Sequence, residues 1–274
     1  MKTIQERFAL LQDALIRSGM PVERVEPFPS VCAPFGDDLS EYGFERVSWA
    51  PYVWQGSVRL PSNHQLFAEH RIFAIGLASV FACLQVNCKP GNKVLDMCAA
   101  PGIKSLYLQL LHQNQLDLYV NDLSHDRLIR LRSLFEQFSC PLPTFSNQPG
   151  QTLARVYPEQ SFDAVLLDAP CSGEGTILGG DDAALQTWSP AKVKRLAGLQ
   201  RKLLMTADKL CAANGTLVYA TCTLNKTENE SVIRKSGLPE PVVAQDSQQQ
   251  LRPGQAVRLL PSKLSIGFFV ANIR

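Results

Sequence analysis

The sequence predicts an α/β protein built on a doubly wound, mostly parallel sheet with an antiparallel C-terminal strand. From residue 93 onward, apolar runs typical of buried strands alternate with amphipathic stretches typical of helices. Two further apolar runs, at 256–261 and 265–273, suit a closing antiparallel pair. The stretch at 21–65 is rich in proline, glycine and aromatic residues, which predicts a small N-terminal α+β subdomain of short strands and turns.

The individual elements follow from hydrophobic periodicity and from turn residues. Apolar positions recur at helical spacing over 3–19, and Gly19-Met20-Pro21 ends that helix. A second, largely apolar helix is expected at 66–86. In the following domain we expect strands at 93–98, 116–122, 144–146, 162–168 and 215–222 and helices at 104–113, 125–138, 190–212 and 227–235. The polar, glutamine-rich segment at 238–252 is expected to be a loop.

Length and composition predict two domains, a small subdomain at 1–65 and a larger domain at 66–274. The net charge is only +2, so a nucleic-acid surface would have to come from local clustering of charge. The first residues alternate charged and apolar positions, unlike a signal peptide, and no apolar run reaches the ~20 residues that cross a bilayer. We therefore expect a cytoplasmic monomer without membrane contact.

The eight cysteines show no C-x-x-C pair and no neighbouring histidine cluster, which predicts free thiols and no metal site. Most of them are expected to act as small buried apolar residues. This structural group comprises Cys32, Cys83, Cys88, Cys140 and Cys211.

A loop of small residues follows the first strand of the larger domain. Asp96 is followed by Met-Cys-Ala-Ala-Pro-Gly at 97–102 and then by a predicted helix. Small side chains let the backbone approach a ligand, and a helix begins with unpaired N–H groups. The next strand ends at Asp122, whose carboxylate can bind both hydroxyls of a ribose. Because the G-x-G-x-x-G fingerprint is missing, S-adenosylmethionine fits this site better than NAD. The alternative is a simple turn, with Asp122 as a helix cap.

Two further cysteines follow predicted strands. Cys171 lies in Asp-Ala-Pro-Cys-Ser-Gly at 168–173, and Cys222 lies in Ala-Thr-Cys-Thr-Leu at 220–224. Because the carboxyl ends of strands face the ligand crevice of an open α/β sheet, both sulfurs are expected in one pocket with Asp168. A thiolate that adds to carbon 6 of cytosine makes carbon 5 nucleophilic toward a methyl group. These residues alone do not decide which cysteine attacks.

Four segments carry a specific resemblance. They are VLDMCAAPGIKS at 94–105, LLDAPCSGEG at 166–175, YATCTLNKTENE at 219–230 and GFFVANIR at 267–274. Together they resemble the Nop/Sun family of RNA cytosine-5 methyltransferases, and VSWAPYVW at 47–54 is similar to the N-terminal subdomain of its bacterial rRNA branch. The resemblance implies a Rossmann-like class I methyltransferase fold and covers about 60–274 in the correct order.

The same resemblance implies roles for individual residues. Attack on the base falls to Cys222, and Cys171 assists release of the product. Asp168 contacts the target cytosine, and Lys104 belongs to the catalytic network. The candidate residues for binding S-adenosylmethionine are Cys98, Ala99, Ala100, Pro101, Gly102, Lys104, Asp122, Arg127, Asp168 and Pro170.

Two positions depart from the family pattern. Ile103 replaces the second glycine of the family's Ala-Pro-Gly-Gly-Lys loop. Pro149 stands where the family has an aspartate that holds adenine, and proline offers neither a side-chain acceptor nor a backbone donor. We expect these departures to weaken cofactor binding while the catalytic residues are kept.

The expected partner is RNA, with rRNA favoured over tRNA by the resemblance. Candidate phosphate contacts are Arg127, Arg130, Arg132, Lys192, Lys194, Arg195, Arg201 and Lys202. Trp49, Tyr52 and Trp54 in the small subdomain are candidates for stacking on unpaired bases. The alternative for each is a solvated helix face or a small satellite core. The alternative functions are a tRNA cytosine-5 methyltransferase and a non-catalytic RNA-binding assembly factor of the same fold.

Overall fold

A computed structural model describes residues 3–243 and 250–274 of the chain. Its N-terminal part contains a four-stranded antiparallel sheet in the order β2-β3-β1-β4. The strands are β1 (Ser30–Cys32), β2 (Phe44–Arg46), β3 (Val53–Gly56) and β4 (Phe73–Ala74). Apolar side chains from this sheet form a separate small core, which includes Val31, Phe44 and Trp54. Trp54 is only 5% exposed, so the expectation that it stacks on RNA is wrong. Tyr52 is exposed.

Three helices belong to the N-terminal part of the chain: α1 (Ile4–Arg17), α2 (Gln65–Ala68) and α3 (Leu77–Leu84). The single helix predicted at 66–86 is wrong, because β4 separates α2 from α3. His70 has a φ of 53°, which a continuing helix cannot accommodate, and Ala74 pairs with Val31 of β1. Pairing with a distant strand therefore outweighs the local helical pattern.

The larger sheet has eight strands in the order β10-β11-β12-β9-β8-β5-β6-β7. Strands β5 to β9 are mutually parallel, while β12 is antiparallel to both β9 and β11. The predicted mostly parallel sheet with an antiparallel C-terminal pair is thereby confirmed. Its strands are β5 (Lys93–Asp96), β6 (Asp117–Asn121), β7 (Thr144–Ser146), β8 (Phe162–Asp168), β9 (Cys211–Thr221), β10 (Val242–Val243), β11 (Gln255–Leu259) and β12 (Phe268–Asn272).

The helices of this part are α4 (Ile103–Leu111), α5 (His125–Gln137), α6 (Glu174–Leu178), α7 (Asp182–Thr187), α8 (Pro190–Leu210) and α9 (Glu230–Lys235). Four of them, α4, α5, α8 and α9, follow the predicted positions to within a few residues, whereas the short helices α6 and α7 were not predicted. α8 begins where it does because the Ser189 side chain accepts a hydrogen bond from Lys192 N at 3.1 Å and Pro190 opens the first turn. β10 lies inside the stretch predicted as a loop at 238–252, and residues 244–249 of that prediction lie outside the described residues.

Two features cross the boundary predicted at residue 65. β4 joins the small sheet from residues 73–74. α1 packs not on the small sheet but on the larger domain, where Leu11 and Leu15 join a core with Trp188 and Leu185. Among the described residues, no helix combines the length and apolar character needed to cross a membrane.

The start of β12 lies against the first turn of α6. A Cβ atom added to Gly175 would lie 1.7 Å from the carbonyl oxygen of Gly267, so only glycine fits there. Gly175 N donates to the carbonyl oxygen of Cys222 at 3.0 Å, which joins α6 to the end of β9. This approach places the C-terminal strand beside both cysteine loops.

Gly175→Ala should lower the free energy of unfolding by at least 1–3 kcal/mol, because the new methyl group meets backbone that β12 pairing holds in place. Gly198→Ala is the matched control: Gly198 lies within α8 and has open space around its Cβ direction. That change should stabilise the protein by roughly 0.5–1 kcal/mol. Chemical denaturation measures both, and a Gly175→Ala protein as stable as wild type would contradict the packing described.

Candidate active site

The carboxyl ends of β8 and β9 bring the two predicted cysteines together. Ala169 N donates to Ala220 O at 2.9 Å, which aligns the two loops that follow the strands. Cys171 Sγ lies 2.8 Å from Cys222 Sγ. Both side chains are half-buried free thiols, whereas the five cysteines predicted to be structural are all buried. The expectation of one shared pocket for the two sulfurs is met by this geometry.

The hydrogen bonds around the two sulfurs are not symmetrical. Cys222 N donates to Cys171 Sγ at 3.2 Å, so the Cys171 sulfur already accepts a bond. Its S–H is then the group available to donate to Cys222 Sγ. The hydrogen bond with Cys222 and burial together raise the pKa of Cys171 well above its ordinary value. Cys171 therefore contacts both the sulfur and the backbone N–H of Cys222.

An ion pair lies at the same sheet edge. Lys104 Nζ, in the first turn of α4, lies 2.7 Å from Asp168 Oδ2 at the end of β8. Burial by itself would lower the pKa of Lys104, but its attraction to Asp168 and other nearby acidic groups outweighs burial and raises it. Lys104 thus stays protonated. The structure joins these two predicted residues directly.

Two buried glutamates that the sequence analysis had not singled out hold the cysteine loops. Glu174 Oε2 accepts hydrogen bonds from Thr223 Oγ1 at 2.8 Å, Leu224 N at 3.1 Å and Asn225 N at 2.9 Å. Burial raises the pKa of Glu174, and the hydrogen bonds that it accepts oppose that rise. A side chain from the Cys171 loop thereby fixes the backbone that follows Cys222.

Glu228 makes the reciprocal connection. Its Oε2 accepts from Ser172 N at 2.9 Å and from Gln200 Nε2 at 2.9 Å, and its Oε1 accepts from Asn225 Nδ2 at 2.8 Å. Gln200 also donates to Pro170 O at 2.9 Å, which attaches α8 to both loops. The only signal in the sequence was the presence of Glu174 and Glu228 inside the family motifs at 166–175 and 219–230, since periodicity does not identify buried acids.

The predicted cofactor loop connects β5 to α4. Gly102 has a φ of 107°, and a Cβ atom there would lie 2.5 Å from Leu131 Cγ of α5. Cys98 is half-buried, and Ala99 and Ala100 are buried. Glycine is therefore required at 102, and the loop can lie close to α5 only because its side chains are small.

Asp122 is buried directly beside this loop. Its Oδ2 accepts from Ala100 N at 3.2 Å, and its Oδ1 accepts from Ser124 N at 2.9 Å. Arg127 Nη1 lies 3.4 Å from Asp122 Oδ2, and Arg127 Nη2 donates to Ala100 O. Asp122 thus positions the loop and the start of α5, while Oδ1, with one hydrogen-bond partner, keeps a second lone pair for a ligand. The cap of α5 is Ser124, whose hydroxyl accepts from Arg127 N, so the alternative interpretation of Asp122 as a helix cap is wrong.

Hydrogen bonds also connect the cofactor loop to the segments at 121–123 and 147–149. Asn121 Nδ2 donates to Met97 O and Gln148 O, at 3.1 Å each. Asn147 Nδ2 donates to Asp122 O at 2.8 Å and to Leu123 O at 3.0 Å. Leu123 projects into solvent with 72% of its surface exposed, an unusual position for leucine that the sequence analysis had missed. Pro149 begins a short 3₁₀ helix at 150–155 and adds no polar side chain here.

Asp96 is the acid buried deepest at this edge. Its Oδ2 accepts from Ser105 Oγ at 2.6 Å, while its Oδ1 is buried without a partner among the described residues. Burial raises the pKa of Asp96 to about 7. An unpartnered buried carboxylate oxygen is rare in proteins. The site therefore fits a polar nucleoside cofactor with an amino group. It combines a loop of small residues, a buried acid at the end of the next strand and this carboxylate acceptor.

The basic residues that the sequence proposed as phosphate contacts have different surroundings in the structure. Arg127 is engaged with the cofactor loop, and Arg132 lies over the ring of Phe145 with its guanidinium 4.7 Å from the centroid. Lys194, Arg195, Arg201 and Lys202 instead line an open groove along α8, whereas Lys192 Nζ donates to Thr187 Oγ1 at 2.8 Å. Within 3–243 and 250–274, no three His, Cys, Asp or Glu side chains gather as metal ligands would.

Comparisons with known proteins agree with this geometry. The ribosomal RNA small subunit methyltransferase F of Cronobacter sakazakii is 34% identical over 224 residues, which cover 77% of this chain and 44% of that protein. The protein of the same name from Salmonella paratyphi C is 35% identical over 266 residues, 91% of this chain and 54% of that protein. The chain thus spans about half the length of the curated relatives that it matches.

Solved structures share the fold. PH0851 superposes with a TM-score of 0.79 at 28% identity and covers 98% of this chain and 64% of that chain. NSun6 from Pyrococcus horikoshii, solved with SFG, has a TM-score of 0.66 at 22% identity and covers 79% of this chain and 57% of that one. The model of the family described as 16S rRNA methyltransferase RsmB/F matches residues 83–274. These residues contain both cysteine loops, the cofactor loop and Asp122, and the chain belongs to the 16S rRNA methyltransferase RsmB/F family.

Proposed function

We propose that this protein transfers a methyl group from S-adenosylmethionine to carbon 5 of a cytosine in small-subunit rRNA, through a covalent bond between Cys222 and the base. The observation that carries the proposal is the pair of sulfurs 2.8 Å apart at the ends of β8 and β9, beside the Asp168–Lys104 ion pair. The name of the relatives at 34–35% identity supports rRNA as the substrate over tRNA.

The cofactor would lie across the loop at 97–102. The backbone of Ala99 and Ala100 would approach it closely, Asp122 would accept from its ribose, and Leu123 would pack on its apolar surface. Asp96 Oδ1 is an acceptor for its amino group. When bound, S-adenosylmethionine supplies the electrophilic methyl group that an activated carbon 5 takes up.

Cys222 is the proposed nucleophile, because the resemblance to the family assigns attack to the later cysteine. Its sulfur lies 2.8 Å from Cys171 Sγ, so the second thiol is within hydrogen-bond distance of the attacking sulfur. Attack of the Cys222 sulfur on carbon 6 forms one carbon–sulfur bond and moves electron density toward carbon 5 and the ring nitrogen.

Asp168 and Lys104 would hold the base during this step. Because Asp168 uses Oδ2 for Lys104, its Oδ1 can accept from the exocyclic amino group of cytosine. The positive charge of Lys104 offsets the negative charge that the ring gains when sulfur adds. The two residues therefore orient the ring and stabilise its charged form.

Cys171 would act when the product leaves. Release requires a base from the solvent to take the proton from carbon 5, and the electron pair of that bond then restores the C5–C6 double bond as the Cys222 sulfur departs. Cys171 Sγ touches the departing sulfur and can return a hydrogen bond to it as the bond breaks. Without this thiol, the covalent adduct should persist.

Cys222→Ala should abolish methyl transfer, since no other thiol in the pocket takes over attack, while the fold and the affinity for S-adenosylmethionine stay nearly unchanged. Transfer of tritiated methyl groups to 16S rRNA from cells that lack the enzyme measures this. Cys140→Ala, a remote buried cysteine, is the control and should stay active. Normal turnover by Cys222→Ala would remove it as the nucleophile.

Cys171→Ala should accumulate a covalent protein–RNA adduct, because attack by Cys222 remains and release is impaired. A denaturing gel of the enzyme with substrate RNA and S-adenosylmethionine should show a shifted band. The double variant Cys171→Ala/Cys222→Ala is the matched control and should show none. Absence of the band from Cys171→Ala alone would reverse the assignment of the two sulfurs.

Asp122→Ala should weaken S-adenosylmethionine binding by roughly 10–100-fold, the equivalent of one charge-assisted hydrogen bond of ~1.5–3 kcal/mol. Isothermal titration calorimetry measures this. Asp126→Ala, an exposed acid in the first turn of α5, should bind as wild type does. Unchanged affinity in a folded Asp122→Ala protein would count against this placement of the cofactor.

A further inference from the structure

The charged residues that line a groove along α8 are all basic. The groove encloses about 700 Å³ between α8, α9 and the 3₁₀ helix at 150–155. Its charged lining residues are Lys194, Arg195, Arg201, Lys202 and Lys235, and no acidic residue lines it. A chain with a net charge of only +2 therefore concentrates five cations in one concave surface. Such concentration is the electrostatic signature of a polyanion site.

These cations are free to bind an external anion. Across 3–243 and 250–274, none of the five takes part in an ion pair, whereas Arg127, Arg132 and Arg234 all do. All five side chains belong to exposed residues. Cations placed together without counter-charges repel one another, so the arrangement costs stability until an anion neutralises it.

The groove is attached to the candidate active site by one residue of its own helix. Gln200 lies between the lining residues Leu199 and Arg201 and donates to Pro170 O and Glu228 Oε2, at 2.9 Å each. Pro170 precedes Cys171, and Glu228 holds the Cys171 loop. The cations of α8 therefore lie on the solvent side of this helix, and Gln200 on the same helix supports the loops that carry the two cysteines.

Four of the five cations lie along one helix. Lys194 and Arg201 are seven residues apart, or about 10.5 Å along α8 at 1.5 Å per residue, so the cations form a row that an extended polyanion can follow. The lining offers few apolar side chains, of which Val232 is buried, so an apolar protein partner has little to bind.

We propose that this groove binds the phosphate backbone of the substrate RNA, on nucleotides that flank the target cytosine. The proposal rests on the proposed function for the identity of the RNA. The groove contributes affinity and register, and it takes no part in the chemical step. Phosphate contacts of this kind position a nucleic acid without reading its sequence.

The test uses lysines only. Lys194→Gln/Lys202→Gln removes two groove charges, and the matched control Lys89→Gln/Lys263→Gln removes two exposed lysines that lie neither on α8 nor in the groove lining. Exposed substitutions of this kind change stability by at most about 0.5 kcal/mol. Binding of a fluorescent 16S rRNA fragment is followed by anisotropy over a range of salt concentrations.

The groove variant should lower the slope of log affinity against log salt by about 1.4, because each phosphate neutralised on a single strand adds about 0.7 to that slope. The control should keep the wild-type slope. In methyl transfer the groove variant should raise KM for RNA and leave kcat unchanged. A groove variant with the wild-type slope, or a control whose slope falls as much, would overturn the proposal.

Two measurements, RNA binding and methyl transfer, test the groove proposal and the catalytic assignment separately. If Cys222→Ala leaves methyl transfer intact, the catalytic assignment fails, yet the salt slopes still test the groove. If methyl transfer occurs as proposed and the slopes do not differ, the groove proposal fails by itself. Loss of polyglutamate binding from the groove variant with unchanged RNA binding would assign the groove to an acidic protein partner and likewise overturn it.

Discussion

The arrangement of the whole site depends on two buried carboxylates that form no ion pair with any cation in the described part of the chain. Each of Glu174 and Glu228 is surrounded by N–H and O–H donors, which replace the water lost on burial. All the donors to Glu174 come from the opposite cysteine loop, and Glu228 receives one from the opposite loop through Ser172 N, together with one from Gln200 of α8 and one from Asn225 of its own loop. The distance between Cys171 and Cys222 is therefore set by hydrogen-bond geometry and not by the flexibility of two separate loops. The same network reaches α8 through Gln200, so the outer groove and the inner pocket share one support.

A second consequence is that chemically identical side chains acquire different properties. Cys171 Sγ accepts a hydrogen bond from Cys222 N, and the contact with Cys222 and burial raise its pKa. Asp96 and Asp168 differ in the same way, because burial raises the pKa of Asp96 to about 7 whereas Asp168 has Lys104 at 2.7 Å. Environment, and not residue type, divides the proposed roles among these groups.

Local patterns predicted most of the larger domain and failed where distant pairing decides. The alternation of apolar runs located β5, β6, β8 and β9, because strands buried on both faces leave a strong signal in composition. The segment at 66–86 has an equally apolar pattern, but β4 interrupts it to pair with β1, more than 40 residues away in the sequence. Trp54 shows the same limit: an aromatic residue in a small subdomain suits both a stacking surface and a satellite core, and only its packing shows that it is core.

The sequence by itself determined the order of strands and helices, the small-residue loop after β5 and the chemical groups that end each strand. These follow from residue type and spacing, which local chemistry governs. Only the tertiary structure decided that the two sulfurs touch, that Lys104 reaches Asp168 and that Asp122 holds the cofactor loop. It also separated Arg127 and Arg132, which are paired, from the cations of the α8 groove, which form no ion pair within the described residues. The reason is physical: hydrogen bonds, ion pairs and burial depend on distances between residues far apart in the chain, and spacing along the chain carries no record of those distances.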